Sequence, residues 1–148
     1  AIQGGFEKSL INDVIPFIEQ NYRTLTNKSH RAIAGLSMGG MHTQSITNAN
    51  PDKFGYIGVM SMGLRNNSRM GNYNAEEHKK QILALQKGGL KLYWIACGTE
   101  DFLFESVTNL RKFYDELGFK YEYRESTGGH TWPNWRIYLS ELAPKLFK

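Results

Sequence analysis

Cysteine is nearly absent from this 148-residue chain: Cys97 is the only one, so no disulfide can form within it. It closes the apolar run Leu92 to Cys97, where a buried and inert thiol is expected. No stretch approaches the ~18 to 20 apolar residues of a membrane span. The start shows no basic, apolar, small-residue succession of a secretory leader. Internal repeats, low-complexity tracts and interdomain linkers are all lacking, and so are metal-ligand spacings such as H-x-x-x-H or C-x-x-C. Charge of one sign is never concentrated either. The net charge of +4 and the pI near 9.2 look basic, but Glu76-Glu77-His78-Lys79-Lys80 mixes both signs in helical register. That describes a solvated helix face rather than a nucleic-acid-binding stripe.

What the chain does hold is core material for one domain, at 41% hydrophobic and 13% aromatic residues. Leu10, Ile11, Val14, Phe17 and Ile18 recur at helical spacing, with Pro16 interrupting that helix or shifting its start. Arg31 to Gly35 is short and apolar on both faces, as a strand covered on both sides would be. Met38 to Ala49 reads as a helix closed by Asn50-Pro51. The alternation continues with strands at Tyr56 to Met62, Lys91 to Cys97 and Lys120 to Glu125, and helices at Ala75 to Lys87, Glu105 to Leu117 and Trp135 to Leu146. Four strands alternating with helices predict an α/β fold: a parallel sheet with helices on both faces. The irregular, polar stretch from 62 to 74 is longer than an ordinary connection and reads equally as a loop over a site or as a plain exposed loop. The opening Ala1-Ile2-Gln3-Gly4-Gly5 has no initiator methionine and runs straight into a helical pattern, as the interior of a longer protein would.

One stretch carries chemistry on its face. Gly35-Leu36-Ser37-Met38-Gly39 fits G-x-S-x-G, the strand-to-helix turn that exposes a nucleophilic serine. With 15 glycines and nine serines in the chain, roughly 0.09 accidental matches are expected, and this one falls where a strand meets a helix. Side chains at Gly35 or Gly39 are expected to collide with the strand or the helix. The helix that follows would aim its amide donors and positive dipole end at a developing oxyanion.

A serine hydroxyl needs a base, and the base an orienting carboxylate. His30 precedes the serine's strand and so falls at the opposite end of the sheet, roughly 20 Å away at ~3.3 Å per residue. His42 and His78 lie on helices, where packing or surface roles are expected. His130, in "STGGHTWPNW", lies in a glycine-bearing loop after the last strand, free to reach the carboxyl ends of the strands where open α/β sheets keep their sites. For the acid, "IACGTEDFLF" ends a strand and offers Glu100 and Asp101, of which Asp101 is preferred. Asp52 and Asp115 lie beside or within helices.

Together, "GLSMGG", "CGTEDFLF" and "GGHTWPNWR" resemble the esterase D-like α/β-hydrolases, most closely the feruloyl and acetylxylan esterases of carbohydrate esterase family 1. The resemblance spans nearly the whole chain. It implies a serine esterase with Ser37 as nucleophile, Asp101 as orienting acid, His130 as general base and the backbone amide of Met38 as one oxyanion donor. It implies no metal or organic cofactor, and a substrate of feruloyl or acetyl esters on plant cell-wall polysaccharide. A secreted or periplasmic location would follow from that substrate. Trp132 is the candidate substrate-binding residue, and Trp135, Phe102 and Tyr73 are further candidates for an aromatic wall. The family's domain is about twice this length, with strands and an oxyanion-hole loop before the nucleophile. Residues 1–148 are therefore expected to be the C-terminal part of a catalytic domain, with the second oxyanion donor outside it. The exposed sheet edge would be covered by the missing half or by a second copy of the chain. Enterochelin esterases, formylglutathione hydrolases and mycolyltransferases share much of the pattern. A carbohydrate-binding module without turnover is the rival class.

Overall fold

A computed structural model describes residues 4–66 and 72–148; the centre of the long 62–74 stretch, for which a loop over a site was one expectation, lies outside the described residues. The chain opens with α1 (Gly5–Ser9), a π-helical turn (Leu10–Val14) and α2 (Ile15–Asn21). Pro16 stands in the first turn of α2, where its missing N–H matters least, and the π turn before it absorbs the break in the ladder. Then follow a 3-10 turn (Lys28–His30), β1 (Ala32–Leu36), α3 (Met38–Ala49), β2 (Tyr56–Met60), α4 (Ala75–Lys87), β3 (Leu92–Gly98), α5 (Phe104–Glu116), β4 (Glu122–Ser126), α6 (Trp132–Leu142) and a last 3-10 turn (Ala143–Lys145).

All four strands are parallel and lie in the order β1-β2-β3-β4. Successive side chains of a strand point to opposite faces, and the core divides accordingly. Ile57 and Val59 of β2 with Tyr93, Ile95 and Cys97 of β3 pack beneath α3, α4 and α5, through residues such as Ile46, Ile82 and Leu110. On the other face Met60, Trp94 and Ala96 pack against Trp135, Tyr138 and Leu142 of α6. Cys97 is fully buried, and burial, with the Asp101 and Glu125 charges adding, pushes its thiol up to about 12. It is inert at ordinary pH.

The register matters most for function. Leu36 lies beside Met60, Met60 beside Ala96, and Gly98 beside Ser126. The chain therefore leaves β1, β2, β3 and β4 at one common edge, and the segments that follow them meet there.

Three expectations change. β1 was expected to be covered on both faces, yet none of its residues is fully buried, because it is an outer strand of the described sheet and α1 and α2 beside it contain no fully buried residue. β2 stops at Met60 rather than Met62, since Ser61 leaves the extended region for φ 51° and turns the chain out of the strand after one last bond to the Ala96 carbonyl. The last helix starts at Trp132, three residues early, with Pro133 in its first turn, where a missing N–H breaks no intrahelical bond.

Candidate active site

Ser37 joins β1 to α3 in a strained conformation, φ 52° and ψ −120°. Such values cost on the order of 1–3 kcal/mol and persist where the surroundings impose them. Its N–H donates to the Met60 carbonyl at 2.9 Å. A Cβ on Gly35 would lie 2.1 Å from the Gly39 carbonyl oxygen, so only glycine permits strand and helix to approach this closely. Gly39 itself faces open space, contrary to expectation; the second tight position is Gly40, against Met62. The turn fixes the Ser37 side chain at the sheet edge. The N–H of Met38, at the first position of α3, is one of the helix donors without an intrahelical partner.

His130 comes from the loop between β4 and α6. Its Nε2 lies 2.8 Å from Ser37 Oγ, and its Nδ1 lies 3.1 and 3.0 Å from the two Asp101 oxygens. An ionised carboxylate only accepts hydrogen bonds, so Nδ1 carries the proton and Nε2 accepts from the serine hydroxyl. The Asp101 side chain is wholly shielded from solvent, and its Oδ1 also accepts from the Leu103 N–H at 2.9 Å. Glu100, beside it, is exposed; the carboxylate at His130 is that of Asp101.

The other histidines go elsewhere. His30 lies in the 3-10 turn before β1 and pairs with Asn27. His42 meets Glu7 at 2.7 Å, tying α3 to α1. His78 is buried, stacks on Phe113 at 4.6 Å and bonds the Tyr73 hydroxyl at 2.8 Å. Burial and the nearby Arg65 push it down to about 4. Tyr73, a candidate for the aromatic wall, is thus engaged with the α4 histidine.

Three aromatic residues do gather near the imidazole. The Phe102 ring is 4.6 Å from it and 76% exposed. The Trp135 ring lies edge-on at 5.0 Å and is buried, so it belongs to the core as well as the site. Trp132 stands on Trp135 at 5.1 Å and is 63% exposed, available as a wall. Sequence reasoning missed Asn134 and Ser61, which hold the His130 loop and the Trp135 indole. Asn134 stands inside the "STGGHTWPNW" segment that flagged His130, whereas Ser61 lies 74 positions from its partner and leaves no local signal. Among the described residues no group of three or more His, Cys, Asp or Glu side chains is arranged to hold a metal ion, and no helix is long and apolar enough to cross a membrane.

A parallel sheet with a strained serine at a strand-to-helix turn, hydrogen-bonded to a histidine from a later loop, defines an α/β-hydrolase of the esterase-like serine hydrolase class. The chain belongs to the Esterase family, whose model matches residues 3–146. It is 37% identical over 147 residues to an endo-1,4-beta-xylanase/feruloyl esterase of Xylanibacter ruminicola, an alignment covering 97% of this chain and 18% of that protein. An acetyl esterase of Caldicellulosiruptor saccharolyticus is 25% identical over 158 residues, with 87% of this chain and 59% of that protein covered. Among solved structures, the carbohydrate esterase family 1 ferulic acid esterase of Anaeromyces mucronatus superposes with a TM-score of 0.82 at 20% identity, covering 96% of this chain and 53% of its own. The chain thus spans less than two thirds of the length of these relatives.

Proposed function

We propose that this chain carries the catalytic centre of a carboxylic ester hydrolase, with Ser37 as nucleophile, His130 as general base and Asp101 as the orienting acid. One observation carries the reading: the unbroken hydrogen-bond chain from Ser37 Oγ through His130 to a carboxylate shielded from solvent. In the first step Oγ attacks the ester carbonyl while Nε2 takes its proton. The negative charge that develops on the carbonyl oxygen is met by the Met38 N–H at the positive end of α3. Nε2 then returns the proton to the departing alcohol, leaving an acyl group on Ser37. In the second step water attacks that acyl group, giving up its proton to Nε2, and the acid is released with Ser37 restored. Asp101 holds the tautomer in which Nε2 is free to accept. No metal or organic cofactor takes part in these steps.

The substrates we propose are feruloyl or acetyl esters on plant cell-wall polysaccharide, with Trp132 and Phe102 offering exposed aromatic surface for the acyl group or a sugar. The similarity to a xylanase/feruloyl esterase and to an acetyl esterase supports this class. We further propose that residues 1–148 act as the C-terminal part of a catalytic domain, other strands covering β1 and supplying the second oxyanion donor. The edge of β1 that has no strand beside it among the described residues motivates this reading. The test is to compare hydrolysis of methyl ferulate, acetylated xylan and S-formylglutathione by the full-length protein and its Ser37→Ala variant. Ester turnover abolished in the variant is the expected result. Preference for the thioester would move the substrate to formylglutathione, and turnover surviving Ser37→Ala would overturn the mechanism.

A further inference from the structure

We propose that the first turn of α6 is a positioning device for His130: Asn134 fixes the loop that carries the imidazole, and Trp135, anchored on Ser61, fixes the ring. The inference rests on His130 being the general base and adds residues that the serine–histidine–aspartate chain does not include.

The loop between β4 and α6 has no regular structure of its own, so something outside it must set where His130 points. Asn134 does so with one planar group, its side-chain amide donating to the Thr127 carbonyl at 3.0 Å and to the Gly129 carbonyl at 3.1 Å. These two acceptors are the root of the loop and the residue directly before His130. Between them Gly128 adopts φ +80° and its carbonyl accepts from the Glu100 N–H at 3.1 Å. That bond ties the histidine loop to the loop of the acid. The approach is close: a Cβ on Gly98 would lie 2.1 Å from the Gly128 oxygen and 3.0 Å from Asn134 Nδ2.

The ring is held separately. Trp135 presents its indole to the imidazole at 5.0 Å with the planes at 87°, and its indole N–H donates to Ser61 Oγ at 3.0 Å. Ser61 is fully buried and sits at φ 51°, a costly region for any residue but glycine. Its own N–H donates to the Ala96 carbonyl at 2.8 Å. A strained, buried serine thus stands at the end of β2 where its hydroxyl meets the indole.

Asn134 is only partly buried, so its loss leaves loop carbonyls that water can reach. Its removal is expected to loosen His130 more than it weakens the fold. A displacement of about 1 Å at a reacting group costs roughly a hundredfold in rate.

The experiment measures kcat per titrated active site in the full-length protein, together with the pH profile of kcat/KM and the thermal midpoint, for N134A, W135F and S61A. Expected for N134A is a roughly 10- to 100-fold fall in kcat, with KM for a small p-nitrophenyl ester within about threefold and the thermal midpoint little changed. W135F keeps a ring and loses the N–H, so it should retain more activity than W135L, which removes the ring packed against the imidazole. If W135L does not fold, kcat per titrated site in S61A and W135F carries that arm. Wild-type kcat per titrated site and unchanged pH profiles in N134A, W135F and S61A would overturn the proposal. Turnover and positioning are separated by following the His130 ring nitrogens by NMR in the Ser37→Ala background. Altered or broadened His130 signals on adding N134A support the device, whereas unchanged signals refute it. Activity surviving Ser37→Ala would count against the serine mechanism alone.

Discussion

β3 and β1 both deliver a functional segment to the same edge of the sheet, but they are held in different ways. β3 is flanked by strands on both sides and is buried from Tyr93 to Gly98, feeding one core cluster with Tyr93, Ile95 and Cys97 and the other with Trp94 and Ala96. β1 pairs only with β2 among the described residues, has no fully buried residue, and stands next to α1 and α2, which bury none. Phe6, Phe17, Tyr22 and Leu25 of that flank are all more than half exposed. Asp101 therefore follows a strand buried in a core built within this chain, whereas Ser37 follows a strand with one paired edge among the described residues and local constraint from its own glycines. An apolar, unpaired edge of this kind is normally covered.

The largest expected effects lie where both halves meet. Ser37→Ala should lower kcat/KM for a p-nitrophenyl ester at least about 10⁴-fold, and Asp101→Asn should cost a comparable factor because it disturbs the tautomer of His130. Glu100→Gln, one residue away and exposed, should stay within about twofold. A large loss there and none at Asp101 would reverse the assignment of the acid. Next comes a contrast in packing. Ile95→Ala in β3 is expected to destabilise by about 3 kcal/mol in urea unfolding, and Ile33→Ala in the partly open β1 by about 1 kcal/mol; equal losses would remove the distinction between the strands.

Gly35 and Gly39 sharpen the same point inside the serine turn. Gly35→Ala puts a Cβ against backbone and should cost more than about 2 kcal/mol along with activity, while Gly39→Ala meets nothing and should gain up to about 1 kcal/mol of helix propensity. A last prediction concerns pH. His78 falls to about 4 in the fold from an ordinary value near 6.5, so the unfolded chain binds the proton more tightly. Stability should be full above pH 6.5 and decline as the pH falls towards 4, by on the order of 2 kcal/mol. His78→Phe should flatten that decline, and an identical slope in the variant would contradict it.

Much of this was legible in the sequence because periodicity and glycine placement are local. α3 and α4 match the residues expected, and β1, β3, β4 and α5 shift by only one or two. The start of α6 was missed because "TWPNW" reads as a loop until Pro133 is recognised as a first-turn proline. The coverage of β1 was misjudged because an apolar strand looks the same whether its neighbours are present or not. The segments that meet at Ser37 could be read from strand ends, since parallel strands in register must discharge at one edge. The hold of Asn134 and Ser61 on the histidine could not, because both depend on how α6 docks against β2 and the loop before it.

The role of Ser37 as a nucleophile activated through His130 and Asp101 can be read directly by intact-protein mass spectrometry of the full-length protein treated with diisopropyl fluorophosphate, followed by peptide mapping. A single adduct on Ser37 is expected, formed with loss of esterase activity, and labelling should slow by orders of magnitude in His130→Ala and Asp101→Asn. An adduct on a different residue, or full esterase activity after Ser37 has been labelled, would contradict it.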